Sequence, residues 1–226
     1  MKWAWSAAGL LGSSLVLAQS DSTAFTDAET GIVFQSMTTE PGIDYRLALP
    51  ANASATAPYD VILQIVAPIT IGWAGWAWGG AMTYNPLTVI WANGNEVTHS
   101  SRQALGYYTP AMYEDAKYTV LKGTGVNATH FKFTALCSGC ASWTDFNGDV
   151  STLDGAGQAN FAFAYSSTPP DDLASAESNF GIHDSVGHWT HDMAGARSDQ
   201  FSAWVASNTA EKRAFGRRFP VKKSFR

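Results

Sequence analysis

Apolar and polar residues alternate along much of this chain in short runs separated by turn residues, a pattern typical of β-strands with one buried face. The runs occupy residues 31–34, 44–49, 59–66, 87–92, 96–101, 117–122, 130–136 and 160–166. Asn93-Gly94 lies between two of them and predicts a tight hairpin turn. Only residues 198–207 have a helical pattern, with Phe201, Trp204 and Val205 on one face. We therefore predict an all-β fold, an antiparallel sandwich with a short C-terminal helix.

The most unusual stretch of the sequence, residues 66–82, contains three tryptophans and four glycines. Tryptophan supplies a large flat surface, and glycine lets the backbone approach a neighbouring group closely. The stretch ends at Met82. A buried methionine is most often a flexible filler of the core, but its thioether is also a soft ligand for iron in a porphyrin. The pattern alone leaves both interpretations of Met82 open.

The first eighteen residues have the organisation of a secretory signal peptide. Lys2 provides the positive start, residues 7–17 form an apolar run with interspersed glycines and serines, and Val16-Leu17-Ala18 is a small-residue cleavage site. A transmembrane helix needs about 20 apolar residues, which neither this run nor any later one reaches. We expect a secreted, extracellular domain over residues 19–208 that does not enter a membrane. Asn52 and Asn127 begin glycosylation sequons, which fit surface loops of such a domain.

Cys137 and Cys140 are the only two cysteines. In an oxidising compartment we expect them to pair as a small disulfide loop. Covalent haem attachment would need a histidine at position 141, where the chain has Ala141. A zinc site formed by both cysteines with His188 and His191 is a weaker alternative, because the thiols should be oxidised and the histidine spacing is too short.

The chain divides into two parts of opposite charge. Residues 212–226 hold seven of the fourteen basic residues and no acidic one. Residues 19–211 contain six basic and nineteen acidic residues, a net charge of −13. Such a domain should repel nucleic acid and anionic membranes and favour partners with basic patches. The basic segment, residues 209–226, is interpreted as a disordered extension, with a remnant of a lost linker or a mistranslated gene end as alternatives.

Several short segments agree in order and spacing with one known family, although no single segment would be specific. They are Val66-Ala67-Pro68, Gly72-Trp73-Ala74-Gly75, Gly79-Gly80-Ala81-Met82, Trp91-Ala92-Asn93-Gly94-Asn95, Arg102 with Gly106-Tyr107 and Pro110, Asn127 to His130, Cys137-Ser138-Gly139-Cys140, Asp171-Asp172, His183-Asp184 and Ala196-Arg197-Ser198. On these segments, over roughly residues 23–207, the chain resembles the cytochrome domain of fungal cellobiose dehydrogenase, a haem b domain related to DOMON and iron-reductase domains. The resemblance implies an immunoglobulin-like β-sandwich, in agreement with the strand pattern.

The resemblance also implies a haem site. Met82 and His183 correspond to the family's two axial ligands of one non-covalent haem b. Trp91 and Tyr107 match aromatic residues that border the haem near its propionate edge, where Tyr107 would donate a hydrogen bond to a propionate. Two protein ligands leave no open position on the iron, which suits one-electron transfer better than oxygenation.

Two further histidines follow His183, and the family usually has aromatic or aliphatic residues at their positions. These are His188 and His191, for which a surface location is the simplest interpretation. The alternative is that one of them replaces Met82 or His183 as an axial ligand. A histidine in place of Met82 would give a bis-histidine haem with a lower reduction potential.

The resemblance implies an electron carrier more than a stand-alone catalyst. The expected donor is a sugar- or quinone-linked dehydrogenase, and the expected acceptors are a copper lytic polysaccharide monooxygenase, quinones or ferric iron, the last by direct ferric reduction. The sequence has no dinucleotide fingerprint and no nucleophile elbow, so we expect a free-standing cytochrome. We also expect it to act as a monomer. The alternative is a haem-free, DOMON-like carbohydrate-binding module in which Trp73, Trp76 and Trp78 stack on sugar rings.

Overall fold

Two β-sheets pack face to face in the computed structural model, which describes residues 20–209. The predicted signal peptide (residues 1–18) and residues 210–226 of the predicted tail lie outside the described residues. Within residues 20–209, no helix has the length and apolar character needed to cross a membrane. The all-β prediction is confirmed, because strands account for nearly every regular element.

The elements described are sixteen strands and one helix. In chain order they are β1 (Thr23–Thr26), β2 (Val33–Thr38), β3 (Asp44–Pro50), β4 (Val61–Pro68), β5 (Trp73–Ala77), β6 (Pro86–Asn93), β7 (Glu96–Gln103), β8 (Ala111–Met112), β9 (Lys117–Val120), β10 (Gly125–Val126), β11 (His130–Ser138), β12 (Ser142–Thr144), β13 (Val150–Thr152), β14 (Gln158–Ser166), β15 (Ser185–Asp192), β16 (Arg197–Ser198) and α1 (Phe201–Asn208).

Sheet 1 has the strand order β1-β2-β3-β4-β11-β10, with β9 also paired to β11 and β16 paired to β3. All of its pairings are antiparallel except the short β16–β3 contact. Strands β4 and β11 pair over eight residues, from His130 opposite Pro68 to Cys137 opposite Val61. Long antiparallel pairing of this kind fixes the register in the centre of the sheet.

Sheet 2 has the order β15-β14-β5-β6-β7-β8 and is antiparallel throughout. The predicted hairpin joins β6 to β7. Its closing pair is Asn93 and Glu96, so the two turn residues are Gly94 and Asn95, one position later than Asn93-Gly94 suggests. Gly94 has a φ of +60°, which glycine adopts without steric cost and which two-residue hairpin turns require.

The two faces of sheet 2 belong to different apolar clusters, because successive side chains of a strand point to opposite faces. Trp76, Trp78, Ile90 and Phe161 belong to the core between the sheets. Their strand neighbours point the other way and form a second apolar cluster on the outer face of sheet 2. The outer face of sheet 1 is covered by α1, whose Phe201 packs with Trp204 and Val205 against sheet residues, as the helical pattern predicts.

Two strands of sheet 2 next to the site are not foreseen by the alternating pattern, and neither is the two-residue β8. Strand β5 lies in the tryptophan-glycine stretch, and all five of its residues are buried. A strand covered on both faces carries apolar residues at every position and loses its alternation. Strand β15 mixes glycine, histidine and threonine at the edge of the sheet, with only Trp189 and His191 buried. The site described below lies over these strands.

Candidate functional site

The outer face of sheet 2 carries an apolar surface with small residues at its centre. One cluster makes up this surface: Trp73, Ala77, Leu87, Val89, Trp91, Ala104 and Ala162. Pairing between β5 and β14 sets Ala77 beside Ala162 and Gly75 beside Ala164. We call these four small residues the floor of the site. Trp73 leans over one end of it, since a Cβ built on Gly75 would lie 3.3 Å from the Trp73 ring. Small residues flanked by bulky ones leave room for a flat group to approach the sheet.

Met82 lies on the loop between β5 and β6, at one end of the floor. The loop turns at Gly80, whose backbone N–H donates to the Ala77 carbonyl over 3.3 Å and whose φ is +77°. The Asn85 side-chain amide donates to the Ala81 and Thr83 carbonyls, both over 3.0 Å. These bonds hold the backbone on either side of Met82, whose half-buried side chain packs against the outer cluster.

His183 lies at the other end of the floor, just before β15. The Asp184 backbone N–H donates to the Tyr165 carbonyl over 2.9 Å, at the end of β14. The Asp184 carboxylate accepts bonds from the Ser167 backbone N–H (2.6 Å) and from the Ser166 (3.0 Å) and Ser167 (2.8 Å) hydroxyls. The Ser167 N–H, with the two hydroxyls, lowers the pKa of the Asp184 carboxyl, so the anchor is an ionised one. His183, half-buried, is therefore fixed by its neighbour in the chain.

Trp91 supports the segment that leads to His183. Its ring is fully buried in the outer cluster, and its indole N–H donates to the Leu173 carbonyl over 2.9 Å. The Thr98 hydroxyl donates to the same carbonyl over 2.6 Å. Trp91 belongs to the outer cluster, and its indole N–H is already bonded to the loop. Trp91 therefore contributes a buried wall and a loop anchor.

Tyr107 lies on the loop that follows β7 and is 92% exposed. That loop is tied to the Met82 loop, because the Tyr84 N–H donates to the Ala104 carbonyl over 2.8 Å and Thr83 pairs with Ala104. Leu105, next along the chain, is 58% exposed. Large apolar side chains in solvent beside an apolar surface are typical of a binding site.

These residues fit a haem. The floor consists of glycine and alanine, and the ionised carboxylate at its border, that of Asp184, accepts bonds from Ser166 and Ser167. Met82 and His183, whose thioether and imidazole are both known axial ligands of haem iron, lie on segments at the two ends of the floor. Exposed aromatic and aliphatic residues stand on the surrounding loops. The ligand roles of Met82 and His183 stay predictions, as do the haem contacts of Trp91 and Tyr107.

His191 is not on the surface, and the expectation that it would be is wrong. It is fully buried between the sheets and packs near Trp76, Phe161 and Trp189. Its Nδ1 accepts the Trp189 indole N–H over 3.0 Å, and burial lowers its pKa to about 3. Because it points to the opposite face of sheet 2, it cannot serve the outer site. His188 is exposed as expected, on the outer face opposite Ala162.

The zinc alternative is also wrong for this structure. Cys137 and Cys140 form the predicted disulfide, so neither sulfur is a thiolate ligand. Among residues 20–209, no three His, Cys, Asp or Glu side chains come together as a potential metal site. His188 and His191 point to opposite faces of the sheet, as their positions three residues apart on one strand require.

The tryptophans proposed to stack on sugar rings cannot do so. Trp76 and Trp78 are almost wholly buried in the core between the sheets and stack on each other with centroids 4.6 Å apart. Trp73 is 4% exposed and packs against Phe180. The haem-free carbohydrate module therefore loses the aromatic platform on which it depends.

Both sequon asparagines are exposed, as predicted. Asn127 begins a hairpin turn, in which its side-chain oxygen accepts bonds from the Thr129 and His130 N–H groups, both over 2.9 Å. Asn52 lies in the loop after β3. Their positions are compatible with glycosylation.

Sequence reasoning missed the small residues of the floor and the role of Asp184. A signal for the floor does exist, because Gly75, Ala77, Ala162 and Ala164 recur at a spacing of two, which is one face of a strand. Asp184 has no comparable signal. Its partners, Ser166 and Ser167, are seventeen or eighteen positions away and meet it only through the pairing of β14 with β15.

The fold and the site define a β-sandwich with a ligand surface on the outer face of one sheet, bordered by methionine and histidine loops. The sequence profile described as the cytochrome domain of cellobiose dehydrogenase matches residues 25–203. The chain therefore belongs to the family of cellobiose dehydrogenase cytochrome domains, whose members bind b-type haem.

Relatives with solved structures agree with this assignment. The cytochrome domain of Myriococcum thermophilum cellobiose dehydrogenase superposes with a TM-score of 0.77 at 26% identity, covering 86% of this chain and 99% of the other. The cytochrome b domain of pyranose dehydrogenase from Coprinopsis cinerea superposes with a TM-score of 0.76 at 26% identity, covering 83% and 96%. The β-sandwich prediction is thereby confirmed.

A curated relative places such a domain within a longer protein. The pyrroloquinoline quinone-dependent pyranose dehydrogenase of Coprinopsis cinerea is 28% identical over 208 residues, which is 91% of this chain. The chain spans 28% of the length of that relative. The similarity therefore concerns the cytochrome part.

Proposed function

We propose that this protein is a secreted haem b electron-transfer protein in which Met82 and His183 are the axial ligands. The observation that carries the proposal is that these two residues lie on segments at opposite ends of β5, next to the same apolar floor. Bound haem b supplies reversible one-electron chemistry. Family membership supports an electron-transfer cytochrome. With both axial positions occupied by side chains, neither oxygen nor substrate would reach the metal.

The residues of the chain have separate tasks in this proposal. The floor and the buried rings of Trp73 and Trp91 keep water from one side of the site, which favours a stable potential. Asp184 holds the segment that presents His183. Tyr107, on its exposed loop, would donate a hydrogen bond to a propionate group. A neutral thioether from Met82 would favour reduced over oxidised iron and would keep the potential above that of a bis-histidine site.

The test is the visible spectrum of the purified protein, oxidised and then reduced with dithionite. We expect a sharp Soret band and resolved α and β bands, which indicate six-coordinate low-spin haem. Met82→Ala and His183→Ala should each remove the low-spin signature, and Met82→His should keep it at a lower potential. A colourless protein, even after addition of haem, would refute the proposal.

Two control variants distinguish the loss of a haem ligand from a general effect of removing a methionine or a histidine. Met112 is a partly exposed methionine on the edge strand β8, and His188 is an exposed histidine on β15. Met112→Ala and His188→Ala should leave the spectrum unchanged. A changed spectrum in His188→Ala with an unchanged one in Met82→Ala would transfer the ligand role from Met82 to His188.

The proposed partners are redox proteins. The electron donor is a sugar- or quinone-linked dehydrogenase, and the acceptor is a copper lytic polysaccharide monooxygenase. The support is that the relatives are cytochrome domains of sugar dehydrogenases. The domain would act outside the cell as a monomer, glycosylated at Asn52 and Asn127, in lignocellulose degradation. Neither nucleic acid nor membrane is a proposed partner.

Quinones and ferric iron are the proposed small-molecule acceptors, and reduction of ferric complexes would make the protein a ferric reductase. Stopped-flow oxidation of the reduced protein by a ferric chelate and by a copper monooxygenase separates the two routes. Faster oxidation by the monooxygenase at equal concentration is the expected result. Sluggish oxidation by both would exclude both acceptors.

A further inference from the structure

Arg102 is a buried cation at the edge of the site. It lies on β7, where cross-strand pairing sets it opposite Leu87, and Leu87 in turn opposite Ala77 of the floor. The residue is only 3% exposed. Burying a guanidinium group carries a large desolvation cost unless its N–H groups are bonded. The partners of Arg102 therefore indicate what the buried charge holds together.

The guanidinium of Arg102 bonds to two loops at once. Its Nη1 donates to the Pro110 carbonyl over 2.9 Å, at the end of the Tyr107 loop. Its Nη2 donates to the carbonyls of Ala176 (2.8 Å) and Ser178 (2.7 Å), on the segment that leads to His183. Its Nε donates to the Ser100 hydroxyl over 2.6 Å. One planar side chain thus joins residues 104–110 to residues 171–184.

Arg102 also contacts Phe180, three residues before His183. The Arg102 guanidinium lies 5.3 Å from the centre of the Phe180 ring, within the range of a cation–π interaction. Phe180 itself packs against Trp73, with ring centroids 5.0 Å apart, and against the outer cluster that Met82 also contacts. Ser100 supports the same loop, because its hydroxyl donates to the Ala176 carbonyl over 2.6 Å.

None of the hydrogen-bond acceptors of Arg102 given above is a carboxylate. The four hydrogen bonds given above go to three carbonyls and one hydroxyl, all neutral acceptors. Glu177 attracts the guanidinium from the same loop, and burial lowers the pKa of Arg102. Arg46, the other buried arginine among residues 20–209, instead pairs with Asp44 in sheet 1. Two buried arginines thus have different roles, one in an ion pair and one between loops.

We propose that Arg102 is a positioning residue that fastens the His183 segment to the Tyr107 loop, so that both sides of the site are set before haem binds. The inference rests on the proposed haem site. Five donors in a rigid fork allow one arginine to span two loops, which the point charge of a lysine cannot do. Loops ordered in advance reduce the entropy that a ligand must overcome on binding.

Hydrogen exchange of the haem-free protein tests the fastening directly. In Arg102→Gln we expect faster amide exchange in residues 104–110 and in residues 171–184 together. The exchange rates of the strands of sheet 2 should stay unchanged. Arg102→Lys should resemble Arg102→Gln. The matched control is Arg46→Gln, which removes an equally charged, buried group from sheet 1 and should leave both loops at the wild-type rate.

Haem dissociation gives the second measurement, by transfer of haem to excess apomyoglobin. We expect Arg102→Gln to lose haem roughly tenfold faster than the wild type, the equivalent of one charge-assisted bond, and Arg46→Gln to match the wild type. If Arg102→Gln does not fold, Ser100→Ala, which removes the bonds of Ser100 to Arg102 and to Ala176, should give a smaller effect in the same direction.

The outcomes are distinct. Exchange that rises in both loops supports the proposal even if the wild type binds no haem, in which case the proposed function fails and the fastening stands. Exchange that rises in only one loop, or evenly across the domain, would overturn it, as would an equal rise of both loops in Arg46→Gln. Full recovery of the wild-type behaviour in Arg102→Lys would also overturn it, because charge alone would then suffice.

Discussion

At the scale of single residues, His191 shows how a polar side chain can be built into an apolar core. Its ring is enclosed by the aromatic rings of Trp76, Phe161 and Trp189. The neutral form satisfies one nitrogen through the Trp189 N–H, while the buried Nε2 has no hydrogen-bond partner among the described residues. Protonation would place a charge in this environment, which explains the pKa of about 3.

The first prediction concerns the pH dependence of stability. The pKa of His191 is lowered from 6.5 to about 3 on folding, so below pH 6.5 the unfolded chain binds a proton that the folded chain does not. Its contribution to the free energy of unfolding therefore falls as pH falls from 6.5 towards 3. Between pH 7 and pH 5 we expect a loss of about 2 kcal/mol from this residue.

Urea unfolding of wild type and His191→Leu at pH 7 and pH 5 measures this loss. The stability difference between the two pH values should be about 2 kcal/mol smaller in His191→Leu. His188→Leu, which changes an exposed histidine on the same strand, should keep the wild-type difference. An equal pH response in wild type and His191→Leu would show that His191 is not responsible.

At the scale of elements, the site depends on loops that leave the ends of strands at fixed angles. The Met82 loop leaves β5 through Gly79 and Gly80. A Cβ at Gly80 would lie 2.9 Å from the Asn160 carbonyl oxygen of β14, and the φ of +77° is strained for any other residue. The turn at Gly80 therefore aligns the Met82 loop with sheet 2.

The second prediction compares two glycines with positive φ. Gly80→Ala adds both backbone strain and a clash with Asn160, so we expect it to lower the free energy of unfolding by about 2 kcal/mol or more. Gly94→Ala, at the hairpin turn, has no atom within 4 Å of the added Cβ and should cost about 1 kcal/mol from strain alone.

Unfolding curves and the Soret band of both variants distinguish the two effects. Gly80→Ala should also weaken the low-spin haem signature, because the clash displaces the loop that carries Met82. Gly94→Ala should retain it. If the two variants lost equal stability and kept identical spectra, the contact with Asn160 would have no part in placing Met82.

At the scale of the whole molecule, charge is distributed unevenly over the two sheets. Residues 20–209 contain six basic residues. Of these, Arg102 alone belongs to sheet 2, where it is buried, and the others lie on sheet 1 or its connections. The loop that leads to His183 adds exposed acidic groups at Asp171, Asp172 and Glu177. The potential around the proposed site should therefore be negative.

The third prediction uses small oxidants of opposite charge. Oxidation of the reduced protein by hexaammineruthenium(III) should slow as ionic strength rises from about 0.01 M to about 0.15 M, and oxidation by ferricyanide should accelerate. The slopes with salt are compared, since the two oxidants differ in driving force. Stopped-flow absorbance in the Soret band measures both rates.

A variant that ends at Thr209 provides the control, because it lacks seven basic residues and one acidic residue of the full chain. Its salt slopes should be steeper in the same directions. Salt slopes of the same sign for both oxidants would mean that the surface near the site is not negative.

The alternating pattern predicted most of the long strands, because alternation within a run depends only on which face of that run is buried. Residues 44–49, 87–92 and 160–166 all lie within observed strands. Strand β5 has apolar or glycine residues at every position, and its two faces serve two different clusters, so periodicity gives no sign of it. The helix was placed correctly by Phe201, Trp204 and Val205, although it begins at Phe201 and not at residue 198.

The sequence by itself determined the all-β class and the disulfide of Cys137 with Cys140, and the resemblance of its short motifs to a known family made Met82 and His183 ligand candidates. Alternation, cysteine spacing and short motifs are all local properties of a chain. Only the tertiary structure decided which tryptophans are enclosed, that His191 faces the core, and that Arg102 joins two loops. Those properties depend on strand pairing and on bonds between residues more than seventy positions apart, such as Arg102 with Ala176 and Ser178. A local sequence pattern cannot predict such contacts, because they form only when the sheets bring distant residues together.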